Sequence, residues 1–201
     1  MLLSLVYDDA DMKLMKLTTN TGYVGEIIFV LWNDEIFLRS LKSMTPAVRF
    51  AEKAGVKVGL HHYDHDPNNR HYGLEAAEAL GVSPELVFKT LVLEISANDK
   101  PLYVLAVIPV AKTLNMKAAA AALGYKSAAM ATPTNAERVT GYIRGGISPL
   151  GTRNRLGTLL DASSSEFDCI YCSGGKRGLD ISISSRDLAR LTNATIATIA
   201  K

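Results

Sequence analysis

The chain lacks the features of several large protein classes. It has only two cysteines among 201 residues, so no disulfide framework supports the fold, and we expect a reducing compartment. The longest apolar run near the N-terminus, Ile27 to Trp32, is far shorter than the roughly 20 residues of a membrane helix. No basic leader with an apolar stretch and a small-residue cleavage site is visible. These absences predict a cytoplasmic protein without a membrane span.

The chain also has no large excess of positive or negative charge. The formal net charge is +2, with 22 basic and 20 acidic residues. Residues 44–201 hold 18 of the basic and 14 of the acidic residues, a mild bias that is compatible with RNA but does not establish it as a partner. The apolar content of 48% is that of a soluble chain that buries a good core.

Metal ligands are few and poorly spaced. Cys169 and Cys172 form a C-x-x-C pair in a strand-like context, where alternation would place the two thiols on opposite faces. A zinc site needs a second pair of ligands, and no later histidine completes the early histidine cluster. We therefore expect neither a metal centre nor a cofactor. The clustered residues are His61, His62, His65 and His71, with Asp64 and Asp66 among them. We expect residues 62–66 to form the rim of a pocket instead, with Tyr63 as a contact residue.

The first 43 residues differ from the rest of the chain. They contain scattered acidic residues and no sustained helical or strand period beyond Gly25–Trp32. Thr45 and Pro46 then form a good helix start, because threonine caps helices and proline suits the first helical position. We expect an N-terminal extension over 1–43 and one domain over 44–201, with Met44 as a candidate translation start. The alternative that residues 1–43 add a strand to the domain stays open.

Cap and turn signals divide the domain into short elements. Some connections are long enough for a helix and others are too short, so we expect an α/β (α+β) fold with a mixed, barrel-like sheet surrounded by helices. The helices are predicted to begin at Thr45-Pro46, Gly73, Ser83-Pro84-Glu85, Asn115, a capping box at Thr134–Glu137, and Ser185. The predicted strands are Val56–Tyr63, Phe88–Ile95, Leu102–Val110, Thr158–Asp161, Phe167–Cys172, Leu179–Ile183 and Ala194–Ile199.

Lys89 has an unusual position in its predicted strand. Alternation places it on the same face as Leu91, Leu93 and Ile95, which we expect to point into the core. A cation at the start of an apolar face either reaches solvent at the strand end or lines a pocket. We favour the pocket, because the chain also supplies glycine loops and cations suited to an anionic ligand.

Two glycine-rich segments, residues 140–151 and 173–178, are candidate walls of that pocket. Glycine lets the backbone approach a ligand and expose N–H groups to it, and Lys176 and Arg177 add positive charge beside the second segment. Neither segment has the spacing of a nucleotide-binding motif. Ser148 and Ser173 are the candidate nucleophiles, but neither lies in a nucleophile-elbow context.

Together these segments resemble the YbaK/EbsC family of trans-editing proteins, which are related to the editing domain of bacterial prolyl-tRNA synthetases. The resemblance covers about residues 44–201 in family order and none of the first 43 residues. The matching segments are Met44–Val48, Tyr63–Pro67, Val87–Leu91, Thr140–Tyr142, Gly145–Gly151 and Ser173–Asp180.

The resemblance implies a mixed β-barrel-like sheet surrounded by helices and a pocket for an aminoacyl-tRNA acceptor end. Lys89 matches the lysine held to be essential in that family, and Tyr63 and Asp180 match positions of the same pocket. One wall would be formed by Gly145, Gly146 and Ile147. The other would be formed by Ser173, Gly174 and Gly175, with Lys176 beside them.

The implied activity is removal of cysteine from mischarged Cys-tRNA(Pro), and also from Cys-tRNA(Cys), with prolyl-tRNA synthetase as a partner in a transient complex. In the cysteine-specific branch the substrate's own thiol is thought to attack its ester, which explains why no side-chain nucleophile is needed. Two alternatives remain open: an Ala-tRNA(Pro)-type deacylase, and a non-catalytic module that binds tRNA or a synthetase.

Overall fold

The computed structural model describes residues 2–7, 13–18, 24–27, 45–97 and 100–201. The chain divides into two compact units, Met1–Met44 and Thr45–Lys201. The first contains an antiparallel sheet in the order β1-β2-β3, formed by β1 (Leu2–Tyr7), β2 (Lys13–Thr18) and β3 (Val24–Ile27).

The expectation that strand-like sequence in the first unit is confined to Gly25–Trp32 is wrong, since β1 and β2 precede it. Pairing with a neighbouring strand stabilises such segments without a strict period. Residues 28–32 lie outside the described residues. The interpretation of 1–43 as an extension stays a prediction.

The second unit contains five helices and eight strands among its described residues. The helices are α1 (Pro46–Lys53), α2 (Tyr72–Leu80), α3 (Met116–Ala122), α4 (Pro133–Thr140) and α5 (Ser185–Thr192). A 3₁₀ helix spans Ala162–Glu166. The strands are β4 (Gly59–His62), β5 (Val87–Ala97), β6 (Lys100–Pro109), β7 (Ala129–Met130), β8 (Gly157–Asp161), β9 (Cys169–Lys176), β10 (Leu179–Ser184) and β11 (Thr195–Ala197).

These strands form one mixed sheet in the order β11-β8-β6-β5-β9-β10-β4, with β7 beside β5. The pairs β5/β6, β9/β10 and β10/β4 are antiparallel, whereas β5/β9, β6/β8 and β8/β11 are parallel. The predicted α/β fold with a mixed sheet and peripheral helices is therefore confirmed.

The two faces of the sheet bury separate apolar clusters. On one face, Phe88 of β5, Cys172 of β9 and Ile181 of β10 pack with residues of α1 and α5. On the other, Leu93 and Ile95 of β5 pack with β6 and α3. The opposite burial of exposed Cys169 and buried Cys172 agrees with the alternation that the sequence predicted.

Two predicted helix starts are wrong. Ser83-Pro84-Glu85 forms a turn that leads into β5, with the Leu86 N–H donating to the Ser83 carbonyl at 2.9 Å. A Ser-Pro pair favours such turns as well as helix starts. The cap of α4 is Thr132, whose side chain accepts from Asn135 N–H at 3.2 Å, with Pro133 at the first helical position.

The second glycine-rich segment is also different from the prediction. Residues 173–176 belong to β9, and the turn to β10 consists of Arg177 and Gly178. The two glycines form a bulge in this strand: Lys176 pairs with Leu179 and Ser173 pairs with Asp180, so Gly174 and Gly175 have no partner residue in β10.

Candidate functional site

A cavity of about 510 Å³ lies along one edge of β5. On its β6 side, β5 is paired along its whole length. On the other side, β9 pairs with Val87 and Phe88, and β7 pairs with Leu93 and Glu94. The segment between these two ladders, residues 89–92, lines the cavity. We call this segment the β5 window.

Lys89 lies at the start of the β5 window, half-buried, as the alternation argument predicted. Its Nζ donates hydrogen bonds to the carbonyl oxygens of Val110, at 3.2 Å, and Lys112, at 2.6 Å. Burial lowers the pKa of this ammonium group. Two of its three N–H donors are therefore engaged with the backbone, and one is available to a ligand in the cavity.

Asp180 and Ser173 continue the cavity wall on the neighbouring strands. They are opposite one another in the β9/β10 ladder, and Ser173 follows the β9 residue that pairs with Phe88. Asp180 is only 6% exposed, and burial raises the pKa of its carboxyl group to about 6. The wall therefore contains an acidic group that titrates close to neutrality.

Tyr63 lines the same cavity from the loop after β4. Its N–H donates to the Gly178 carbonyl at 3.1 Å, which fixes this loop to the β9/β10 turn. Burial raises the pKa of the Tyr63 hydroxyl, and the nearby carboxylates of Asp180 and Glu75 raise it further. The phenol stays protonated and can donate a hydrogen bond at any physiological pH.

The first glycine-rich segment contributes Gly145 and Ile147 to the lining. Gly145 has a φ of +86°, and a Cβ there would lie 2.9 Å from the ring of Tyr72. The guanidinium group of Arg177 stacks 5.0 Å from that ring and donates two hydrogen bonds to the Arg144 carbonyl. This arrangement holds the loop close to α2.

Four of the predicted contact residues do not line the cavity: Gly146, Gly174, Gly175 and Lys176. A Cβ at Gly146 would lie 2.9 Å from Lys176 Cα, so this glycine allows the loop to pack directly on β9. Cβ atoms at Gly174 and Gly175 would meet Leu179 and Tyr142. The geometry gives these glycines a packing role behind the walls, and their direct contact with a ligand stays a prediction.

Other lining residues were not singled out by the sequence. They include two exposed cations, Arg70 and Arg144, and two apolar residues that remain 46% and 51% exposed, Leu74 and Met130. Thr90 also lines the cavity, and its buried Oγ1 has no hydrogen-bond partner in the described part of the chain. Arg70 and Arg144 lie in loops, where no periodicity distinguishes a rim residue from any other surface cation.

The side chains around the cavity do not form a hydrolytic dyad in the described residues. Ser173 Oγ accepts from the Gly175 N–H at 3.2 Å, no histidine is hydrogen-bonded to it, and Ser148 is fully buried outside the lining. Residues 45–97 and 100–201 contain no group of three His, Cys, Asp or Glu side chains arranged for a metal ion. None of the described helices has the length and apolar character that a bilayer span requires.

The cavity therefore suits a ligand with both anionic and apolar parts. Cations at the rim can bind phosphate, exposed apolar side chains can contact a base, and the buried end offers an ammonium group, a phenol and a carboxyl group. Chemistry at this site would depend on positioning and polarisation of the ligand by fixed groups.

Comparisons with known proteins agree with this description. A family model described as an aminoacyl-tRNA editing domain matches residues 68–191. A curated relative from Enterococcus faecalis (strain ATCC 700802 / V583), named "Putative Cys-tRNA(Pro)/Cys-tRNA(Cys) deacylase EbsC", is 35% identical over 162 residues, which are 80% of this chain and 96% of the relative.

Two solved structures have a similar fold. One, described as "a putative trans-editing enzyme for prolyl tRNA synthetase", is 23% identical with a TM-score of 0.65, over 81% of this chain and 97% of that chain. Another, a hypothetical protein, is 24% identical with a TM-score of 0.68, over 78% of this chain and all of that chain. At these identities the structural matches establish the fold.

Proposed function

Because this chain belongs to the aminoacyl-tRNA editing domain family, we propose that it removes cysteine in trans from mischarged Cys-tRNA(Pro), and also from Cys-tRNA(Cys). The 35% identity to a relative named for this activity extends over most of both chains and supports this specificity. The substrate class would place the reaction in the cytoplasm.

The observation that carries the proposal is the position of Lys89. Its ammonium group is held by two backbone carbonyls at the cavity wall and keeps one donor for a ligand. A donor fixed in this way can orient an ester or polarise its carbonyl without reorganising during the reaction. The rim cations Arg70 and Arg144 are suited to the phosphates of a CCA end.

The proposed reaction uses the nucleophile of the substrate. The cysteine sulfur bonds to the ester carbonyl carbon, the bond from that carbon to the ribose oxygen breaks, and the thiol proton is transferred to the departing oxygen. The products are a cyclic thiolactone and tRNA with a free terminal ribose. The protein positions the ester for this intramolecular attack, which fits a cavity without a hydrolytic dyad among the described residues.

The same chemistry would supply selectivity. Cavities discriminate weakly between amino acids of similar size, whereas a thiol is a far better nucleophile than a hydroxyl and alanine offers none. A synthetase that recognises the tRNA would complete the specificity, so we also propose a transient complex with prolyl-tRNA synthetase.

The test is deacylation of cysteinyl-, alanyl-, seryl- and prolyl-tRNA by the wild type, Lys89→Ala and Lys117→Ala. Lys117 is an exposed residue of α3 outside the cavity, so its variant makes the same charge change without touching the site. We expect cysteinyl-tRNA to react fastest. Lys89→Ala should lower kcat/KM by about 100-fold or more, the effect of removing a positioned donor, and Lys117→Ala should leave it unchanged.

Each alternative function predicts a different result in these deacylation assays. Wild-type activity in Lys89→Ala, measured below its melting temperature, would refute the role of the lysine. Equal rates on seryl- and cysteinyl-tRNA would refute the thiol step, and a preference for alanyl-tRNA would favour an Ala-tRNA(Pro)-type deacylase. Salt-dependent tRNA binding in a filter assay without any turnover would identify a binding module.

A further inference from the structure

The β5 window exposes peptide groups as well as side chains. Peptide groups along a strand alternate between its two edges. The carbonyls of Leu86 and Val92 accept from Tyr171 and Ala131, at the edge that faces β9 and β7. Thr90 has the same parity, so its N–H and C=O face the cavity edge too. Neither ladder reaches Thr90, which leaves these groups without a strand partner in the described residues.

The side chain of Thr90, like its peptide groups, lacks a hydrogen-bond partner in the described part of the chain. Thr90 lines the cavity, and its Oγ1 is buried without a hydrogen-bond partner among the described residues. Buried polar atoms in folded proteins are nearly always hydrogen-bonded, and an exception needs an explanation. A rotation of the Thr90 side chain about χ1 would bring this hydroxyl to the cavity beside the carbonyl of the same residue, and the two would then form an acceptor site for a ligand donor.

The charged residues around the cavity indicate which group of the ligand would donate hydrogen bonds to Thr90. Among the described lining residues, the cations are Arg70, Lys89 and Arg144, and Asp180 is the one carboxylic acid. The cations can serve the phosphates and the ester carbonyl of an aminoacyl-tRNA. The α-ammonium group is the remaining charged part of this substrate and needs acceptors, which the Thr90 side of the cavity supplies.

We infer that Thr90 binds the α-ammonium group of the aminoacyl ester, with its carbonyl oxygen and Oγ1 as acceptors; this inference rests on the proposed function. An N-acylated ester cannot satisfy these acceptors in the same way, because its amide nitrogen is uncharged and has a single N–H. The β5 window therefore selects esters with a free α-amino group and spares N-blocked esters, the chemical class to which peptidyl-tRNA belongs.

The experiment compares cysteinyl-tRNA with N-acetyl-cysteinyl-tRNA for the wild type, Thr90→Val and Thr90→Ser. Each rate is divided by the spontaneous rate of the same ester. Valine matches threonine in shape without the hydroxyl, and serine keeps the hydroxyl. We expect Thr90→Val to lower kcat/KM for the free-amine substrate about tenfold, as for one hydrogen bond to a charged group. Thr90→Ser should stay near the wild type.

The acetylated substrate separates binding from a structural effect. We expect acetylation to lower kcat/KM of the wild type at least about tenfold, since it removes the charged donor, and Thr90→Val to cause no further loss on the acetylated ester. Equal losses on both substrates, or none on either, would overturn the role of Thr90 while the proposed function stands. A wild type inactive on every aminoacyl ester would refute the proposed function and this inference together.

Discussion

Asp180 lies where ionisation of its carboxyl group is energetically unfavourable. It is nearly buried between β9 and β4, and its raised pKa of about 6 means that ionisation is opposed by the folded protein. A carboxyl group whose pKa is higher in the folded than in the unfolded state destabilises the fold as the pH rises between the two values. An unfavourably buried ionisable group of this kind is often found at functional sites, where the charge is needed for activity.

Asp180→Asn should therefore raise stability and lower activity. We expect the free energy of unfolding to exceed that of the wild type by about 1–3 kcal/mol at pH 7, because one pKa unit corresponds to about 1.4 kcal/mol. The difference should develop between about pH 4 and pH 6 and then level off. Urea unfolding at several pH values, with deacylation assays, measures both effects.

The exposed Asp64 offers a matched control, since Asp64→Asn makes the same change outside the cavity. A loss of stability at pH 7 in Asp180→Asn would contradict the assignment of an unfavourable buried charge. Unchanged deacylation would show that the carboxylate has no role in the reaction.

At the residue scale, the sequence predicts some of the cavity and misses the rest. Strand alternation identifies Lys89 because a cation on an apolar face is visible in the pattern. Tyr63 follows from its place in the His- and Asp-rich segment that is expected to form a pocket rim, whereas Asp180 follows only from the family resemblance. Thr90 could not be identified, because its unpaired state depends on where two other strands stop pairing with β5.

At the scale of elements, the first glycine-rich segment and β9 fit together through backbone contact. Gly146 is buried against Lys176 Cα, and its neighbours Gly145 and Ile147 line the cavity. A side chain at this position would meet main chain, which cannot move aside as a flexible side chain would. The position of the cavity wall thus depends on the absence of one methyl group.

Gly146→Ala should displace this wall. We expect a loss of about 1–3 kcal/mol in stability from overpacking, together with reduced deacylation. Gly157→Ala is the matched control, because a Cβ there comes no closer than 3.8 Å to Val104, and its effect should stay within about 0.5 kcal/mol. Thermal unfolding and kcat/KM of both variants give the comparison. Similar values for the two variants would argue against direct packing of the loop on β9.

The boundaries of helices and strands can be predicted where a sequence signal is compatible with only one local structure. The predicted cap at Thr45 is confirmed. The capping box at Thr134 is wrong because Thr132-Pro133, two residues earlier, has the same capping chemistry and begins the helix. Gly174 and Gly175 suggest a loop, but they form a bulge within β9, and Leu179 and Tyr142 occupy the space that their side chains would need.

At the scale of the whole molecule, one buried carboxylate fixes the C-terminal segment to the sheet. Asp161, at the end of β8, accepts from the N–H groups of Ile199 and Ala200 at 2.9 and 2.8 Å. It also accepts from the Ser163 hydroxyl and N–H. Burial alone would raise the pKa of Asp161, but these hydrogen bonds outweigh it and lower the pKa.

Asp161→Asn should destabilise the entire fold. We expect a loss of about 2–4 kcal/mol at pH 7, because an amide nitrogen replaces one acceptor and leaves buried donors unpaired. Since the folded-state pKa is lowered, the stabilisation is present above the unfolded-state pKa near 4 and is lost as the pH falls through the folded-state value. Urea unfolding at pH 7 and in acid tests this.

Asp187→Asn serves as the control, because Asp187 is partly exposed and pairs with Arg190 on the helix surface. Surface pairs of this kind contribute about 0–1 kcal/mol. Equal pH dependence of the two variants would contradict the special position of Asp161.

The strand order could not be obtained from the sequence. Connection lengths indicate a mixed sheet, yet they do not say that β9 lies parallel to β5 or that β7 joins β5 further along the same edge. These pairings join distant parts of the chain and are decided by packing of the whole domain. The cavity exists because of them.

The β5 window also bears on self-association. An unpaired strand edge invites a strand from another chain, which is how folded proteins begin to aggregate. Here the open stretch is four residues long and is bounded by β9 and β7 at its two ends. A foreign strand would need a longer edge to register on, whereas a single small molecule does not. The protein can therefore keep unpaired peptide groups available to a ligand without promoting association with other copies of itself.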